Sequence, residues 1–297
     1  MPRKATPGFS LASPNNSFLS VGLHLNLDNA WRGKPRYLPT IEALEWGPRL
    51  RFCAPPRLVE QFYREFSEHL GPFILYGSGD YHYLTALWLR RVDRPFILVS
   101  FDNHPDWDIR PPKWACGGWI NRALEIPLLK HIAIWGCGNF ECWWPHNIFA
   151  NRWGQREGKL EVHPWADDRP IEDRQRPQAI LRENWRAYFE RFAAGLQGAN
   201  VYVTIDMDCL GADSALTNWE NGRFTVEDLE WALAKLRENN QIIAGDICGA
   251  YSKPKYARWK QEFASNWDHP KLELPGQEKI QEVNFSTLER LWPALTH

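Results

Sequence analysis

Two short segments of this chain gather side chains that bind cations. The first is Asp102-Asn103-His104-Pro105-Asp106, directly after the apolar run PFILVSF at 95–101. Residues two apart in an extended chain point to the same side, so Asp102, His104 and Asp106 would converge just past a buried strand. Unpaired charges there are costly. A divalent cation removes the cost, and carboxylate plus imidazole suits a hard or borderline metal. The bland alternative is a polar loop with a satisfied histidine. A lone DxH would favour that alternative; DxHxD straight after seven apolar residues does not. The second segment is VYVTI-Asp206-Met207-Asp208. Two carboxylates this close in a dry place push one of them to protonate unless a metal bridges them. One DxD is a weak signal, often a cap or a turn, but two such strand ends in one chain are a much stronger one. Asp102, Asp106, Asp206 and Asp208 together carry the charge that two divalent ions would neutralise.

A third segment, PFILY-Gly77-Ser78-Gly79-Asp80-Tyr81-His82, also ends an apolar run. Its glycines allow a tight turn between strand and helix. It could cradle a phosphate, but the chain has neither GxxxxGK[ST] nor GxGxxG there. Either Asp80 or His82 would stand at the same sheet edge as the other two segments.

The elements that would position these groups are legible as alternating strands and helices. Apolar runs at 72–76, 95–101, 131–136, 201–206 and 241–247 predict strands, and LRF at 50–52 a further short one. Helical patterns cover PRLVEQFYREFSEHL, about 83–91, about 177–196, VEDLEWALAKLREN and EKIQEVNFSTLERLW. Strands that are apolar throughout are buried on both faces, which predicts an α/β protein, a three-layer α/β/α sandwich with a mainly parallel sheet. Ligands of such sheets bind beyond the carboxyl ends of the strands, where the three segments lie. Residues 1–45 read as an irregular N-terminal extension of a single domain over 1–297.

Of the 297 residues, 44% are hydrophobic and 24% charged, enough for a large core under an ordinary surface. A formal net charge of -1 gives no general phosphate-binding surface and argues against a nucleic-acid partner. No apolar run approaches the roughly 20 residues that span a bilayer. The N-terminal stretch lacks the apolar core of a secretory signal. The expectation is a cytoplasmic protein with no membrane partner. Six scattered cysteines without a CxxC pair read as buried reduced thiols. Of seventeen tryptophans, Trp107, Trp114, Trp119, Trp143, Trp144 and Trp219 fall in polar loops. They are expected to pack loops on the core, with an aromatic pocket wall or a subunit interface as the functional alternative.

The segments GSGDYH, DNHPD and TIDMDCLGAD resemble, in order, the GGDH, DAHxD and SxDxDxxDP motifs of the arginase, agmatinase and formiminoglutamase (ureohydrolase) family. The stretch LTNWENGRFTVEDL resembles the family's loop and helix after the last motif, so the likeness covers roughly residues 70–250. It implies an arginase-like fold and a binuclear centre, usually of manganese, although nickel, zinc and iron accept the same ligands. Asp102 and Asp206 would bridge the ions. His104 and Asp208 would complete one, and Asp106 with a histidine of the first motif the other. A metal-bridging hydroxide would attack the planar carbon of a guanidino, amidino or formimino compound and break a C–N bond. A small-molecule substrate and a homo-oligomer are implied as well.

The chain departs from the pattern in three places. Tyr81 stands where the first motif has histidine, and a one-residue shift would bring His82 to the metal instead. Cys116-Gly117 stands where a His-Gly pair shuttles protons. Cys116 is thus a candidate catalytic group, against its reading as a small buried residue. Gly249 replaces the glutamate that holds the guanidinium in a DxxE motif, while Asp246 matches its aspartate and would support the site near the substrate. Trp107 and Trp219 would then wall a more aromatic pocket for a different substrate. Two other readings are carried: a non-catalytic binding or regulatory protein of the same fold, and a one-metal, deacetylase-like amidohydrolase.

Overall fold

The computed structural model describes residues 22–33 and 38–297. Eight strands form one sheet: β1 (Gly22–Asn26), β2 (Thr40–Glu42), β3 (Phe73–Leu75), β4 (Phe96–Phe101), β5 (Leu129–Cys137), β6 (Leu160–Pro164), β7 (Asn200–Asp206) and β8 (Gln241–Cys248). Their order is β2-β1-β3-β8-β7-β4-β5-β6, and every pairing is parallel. All five strands expected from the longer apolar runs are present in this sheet.

Alternate residues of each strand feed two separate cores, one per face. Leu98, Ile132, Ile134 and Tyr202 belong to one apolar cluster. Their strand neighbours Val99, Ala133, Trp135, Val201 and Val203 belong to the other. Helix α1 (Pro56–Phe66) covers the first face through Val59, Phe62 and Phe66. Helices α2 (Trp185–Gly195) and α3 (Val226–Asn239) cover the second through Trp185, Phe189, Leu229 and Leu233. Helix α4 (Trp259–Asp268) comes next, and α5 (Gln277–Thr296) joins the second face through Leu288, Leu291 and Leu295. Pro56 opens α1 where a missing N–H costs nothing. Thr225 and Asp228 form a capping box at the start of α3. Among the described residues no helix is long and apolar enough to cross a membrane.

The structure corrects several expectations. The segment before residue 45 is not wholly irregular: GLHLN forms β1, buried along its length, with β2 beside it. Its five residues include His24 and Asn26, which hid it as an apolar run. LRF at 50–52 is no strand, since Leu50 ends a short helix and Phe52 sits at φ 66°. The helix expected from 177 begins only at Trp185, because Ile180 donates its N–H to the Pro164 carbonyl at 2.9 Å and continues the sheet's ladder instead. The stretch 83–91 is a 3-10, α and 3-10 succession starting already at Gly79. The six cysteines are unpaired thiols, all buried except half-buried Cys53.

Candidate active site

Four strand ends lie side by side in the order β3-β8-β7-β4. Phe101 pairs with Ile205, so the next residues, Asp102 and Asp206, stand side by side at the ends of β4 and β7. Beyond β4 the chain turns sharply, with Asp106 at φ 46°. Beyond β7 a short 3-10 turn, Met207–Cys209, carries Asp208. Beyond β3 the 3-10 turn Gly79–Leu84 starts early enough to aim His82 over the ends of β7 and β4.

The six groups converge. His82 Nδ1 stands 3.1 Å from Asp102 Oδ2 and 3.4 Å from both Asp106 Oδ2 and Asp206 Oδ2. His104 Nδ1 stands 2.9 Å from Asp208 Oδ2 and 3.6 Å from Asp102 Oδ1. Asp102 therefore turns one oxygen to each imidazole, the disposition a bridging carboxylate needs. Donor atoms of His82, Asp102 and Asp106, and of Asp102, His104 and Asp208, form two compact groups sharing Asp102. Asp206 joins His82 and Cys248 in a third.

Hydrogen bonds fix these groups from outside. Trp119 Nε1 donates to Asp106 at 2.5 Å, and the Asn103 N–H donates to Asp208 at 3.1 Å. Thr204 gives its hydroxyl hydrogen to Asp246 at 2.6 Å, so its oxygen accepts from His82 Nε2 at 2.9 Å. That arrangement fixes a proton on Nε2, so the neutral ring turns its Nδ1 lone pair to the carboxylates. Histidine ligands are commonly oriented this way. His82 Nδ1 is buried and makes no hydrogen bond among the described residues.

Burial and crowding set the electrostatics of this cluster of acids. Burial, then the neighbouring Asp208, holds the Asp206 carboxyl well above the usual range. Burial, then Asp102, lifts Asp106 to about 7. Burial alone would lower both imidazoles, but contacts with Asp102 and Asp106 hold His82 well up, and Asp208 does the same for His104. Burial and crowding thus favour the protonated forms of Asp106, Asp206 and Asp208, while against burial His104 and His82 hold the Asp102 carboxyl below the usual range. The donor set and the lone pair of His82 Nδ1 fit divalent ions.

Asp102, His104, Asp106, Asp206 and Asp208 floor a cavity of about 320 Å³, while His82 is buried against them and does not line it. Cys116 and Trp219 form part of its wall, and Phe140, Glu141, Glu220, Trp267 and Asp268 its mouth. Trp219 stands edge-on to His104 at 5.2 Å and stacks on His269 at 4.2 Å. The Cys116 thiol is pushed well up by burial and then by Asp80 and Asp106. It stays neutral near pH 7, which does not suit a proton shuttle. Trp107 is not at this cavity; it is buried beside Cys142 and Trp143, lining another. Asp246 does not face the cavity either. It lies fully buried behind His82, accepting from Tyr202 and Thr204 at 2.6 Å each and from Thr85 at 3.2 Å. Gly249 has a reason to be glycine: its φ is +101°, and a Cβ there would overlap Asp206 Oδ1. No glutamate fits at that position.

Sequence reasoning missed the support under His82. Asp80 is fully buried, with Arg51 Nε 2.6 Å from one oxygen and His269 Nε2 2.7 Å from the other. These partners are far apart in sequence, so no local pattern pointed to them. Glu220, whose Oε2 lies 3.6 Å from His104 Nε2, was missed for the same reason.

No family model matches the chain. It is 29% identical over 215 residues to an uncharacterized protein of Thermotoga maritima, covering 72% of this chain and 71% of that one. Among solved structures, a variant of Trypanosoma cruzi formiminoglutamase with Mn2+ matches at a TM-score of 0.54 and 10% identity, over 96% of this chain and 94% of that chain. A hypothetical agmatinase from Burkholderia thailandensis matches at a TM-score of 0.46 and 19% identity, over 81% of this chain. The chain spans 64% of that agmatinase's length. What the chain shares with the formiminoglutamase is the arginase-like α/β fold, built here on an eight-stranded all-parallel sheet covered by helices on both faces.

Proposed function

We propose that the protein is a binuclear metal hydrolase that cleaves a C–N bond of a small guanidino, amidino or formimino compound, with manganese as the expected metal. One observation carries the reading: four carboxylates and His104 meet at the floor of one cavity, with His82 buried against them and Asp102 turned to both imidazoles. His104, Asp208 and Asp102 would hold one ion. His82, Asp106, Asp206 and Asp102 would hold the other; Asp206, expected as a second bridge, groups only with the His82 end among the described residues. When bound, such a pair supplies Lewis acidity and lowers the pKa of water toward neutrality.

The chain's own residues do the rest. Thr204 and Asp246 hold the His82 ring in one tautomer, and Glu220 is placed to hold the outer N–H of His104. Glu141, Glu220 and Asp268 make the mouth acidic, and no lysine or arginine is among the described residues that line it. That field draws in a cationic amidine and disfavours an anionic substrate. Trp219 and Phe140 present apolar surface that limits water around the reacting carbon. The cavity volume suits a small molecule rather than a polymer. Unpaired cysteines fit a reducing, cytoplasmic setting.

The test is to offer the manganese-loaded protein a panel of guanidino, formimino and amide compounds and to measure released urea, formamide and ammonia. Turnover of at least one, abolished in Asp206→Asn, is the expected result. A metal-loaded protein that turns over none of them would leave it a binding protein of this fold.

A further inference from the structure

We propose that Cys248 supplies a thiolate ligand at the His82 end of the centre. The inference rests on the reading that the carboxylate cluster holds divalent ions. Its origin is the register of β7 against β8: Thr204 pairs with Asp246, and Asp206 pairs with Cys248. Paired residues of neighbouring strands share a face of the sheet. The Cys248 sulfur therefore emerges beside the Asp206 carboxylate, 3.5 Å from Oδ2. The same oxygen is 3.4 Å from His82 Nδ1.

The donor atoms of His82, Asp206 and Cys248 all lie within 4.8 Å of one another. The separations from Asp206 Oδ2, 3.4 Å to His82 Nδ1 and 3.5 Å to the Cys248 sulfur, suit one ion at bond lengths of about 2.0–2.3 Å. A second observation marks the place as a ligand site: the His82 side chain is 1% exposed, and its Nδ1 aims at the carboxylates and forms no hydrogen bond among the described residues. Burial of a cysteine does not by itself produce this arrangement. Cys137, Cys142 and Cys209 are buried as well, and none belongs to a compact group of donors among the described residues.

The two ends of the centre then differ in chemistry. Asp102, His104 and Asp208 offer oxygen and nitrogen only. The His82 end adds sulfur, which makes that end accept softer ions such as zinc or ferrous iron more readily than the His104 end does. On binding, the S–H bond gives way to a sulfur–metal bond, and the proton leaves to solvent.

Cobalt(II) reports this directly, because a thiolate ligand adds a near-ultraviolet charge-transfer band that oxygen and nitrogen ligands do not. The full-length metal-free protein is titrated with cobalt(II) and read at both the charge-transfer and the visible bands. Two cobalt ions per chain and a thiolate band are expected. Cys248→Ser and Cys248→Ala should each lose the band, keep the ion held through His104, and bind the other on the order of tenfold more weakly or worse. Two cobalt ions in the wild type with no thiolate band would overturn the proposal while leaving the metal centre intact. A band that survives in Cys248→Ser overturns it too, and needs no folded alanine variant. A wild type that binds no cobalt contradicts the metal centre itself, and the proposal with it.

Discussion

At the scale of single residues, the site rests on side chains that reach one point from separate strand ends. His82 is the sharpest case, because Tyr81 takes the place of the histidine in the first motif. In the structure Tyr81 is buried, with Arg51 over its ring at 5.7 Å, while His82 faces the carboxylates. His82→Ala should reduce the metal content by about one ion per chain and leave the ion held through His104; unchanged content by elemental analysis would remove His82 from the ligand set. Gly249 makes a second case. A Cβ there meets the Asp206 carboxylate, and its φ of +101° is strained for any other residue. Gly249→Ala should destabilise by about 1–3 kcal/mol. A thermal midpoint equal to wild type would contradict the close approach. The four aspartates and His104 were legible because spacing of two at the end of an apolar run is a local signal. Cys248, Glu220 and the removal of Asp246 and Trp107 from the cavity were not, because strand register and loop packing decide them.

At the scale of elements, the 3-10 turn Gly79–Leu84 must hold His82 against the sheet, and Asp80 anchors it. Burial works against the Asp80 carboxylate, but Arg51 and then His269 hold it down at about 2. Arg51→Met would leave that charge buried and half paired, at a cost of about 3–5 kcal/mol; urea unfolding measures it, and a loss under about 1 kcal/mol, the range of an exposed pair, would make the contact incidental. A carboxyl whose folded value is depressed stabilises the fold above its unfolded value of 3.8 and loses that contribution as pH falls toward 2. Asp80→Asn should therefore be less stable than wild type near neutral pH, with the gap narrowing between about pH 4 and pH 2 in acid unfolding curves. Long apolar strands and capped helices were readable because each carries its own periodicity and punctuation. β1, β6 and α4 were not: two strands of five residues with buried or half-buried polar groups, and a helix whose Trp259, Phe263 and Trp267 face outward, give no such signal.

At the scale of the whole molecule, one all-parallel sheet brings chemistry from residues 82, 102–106 and 206–208 to a single edge, although sequence separates them widely. The same arrangement crowds buried carboxylates whose repulsion bound cations would relieve. Divalent metal should accordingly raise the thermal midpoint, by about 2.7 kcal/mol of stability at one hundred times the dissociation constant, and a chelator should reverse it. Elemental analysis of the wild-type chain, after saturation with manganese and removal of free ion, tests the central claim most directly. Two metal ions per chain are expected, held by groups that share Asp102. One ion per chain would point to a mononuclear, deacetylase-like centre, and a chain that retains none would contradict the account.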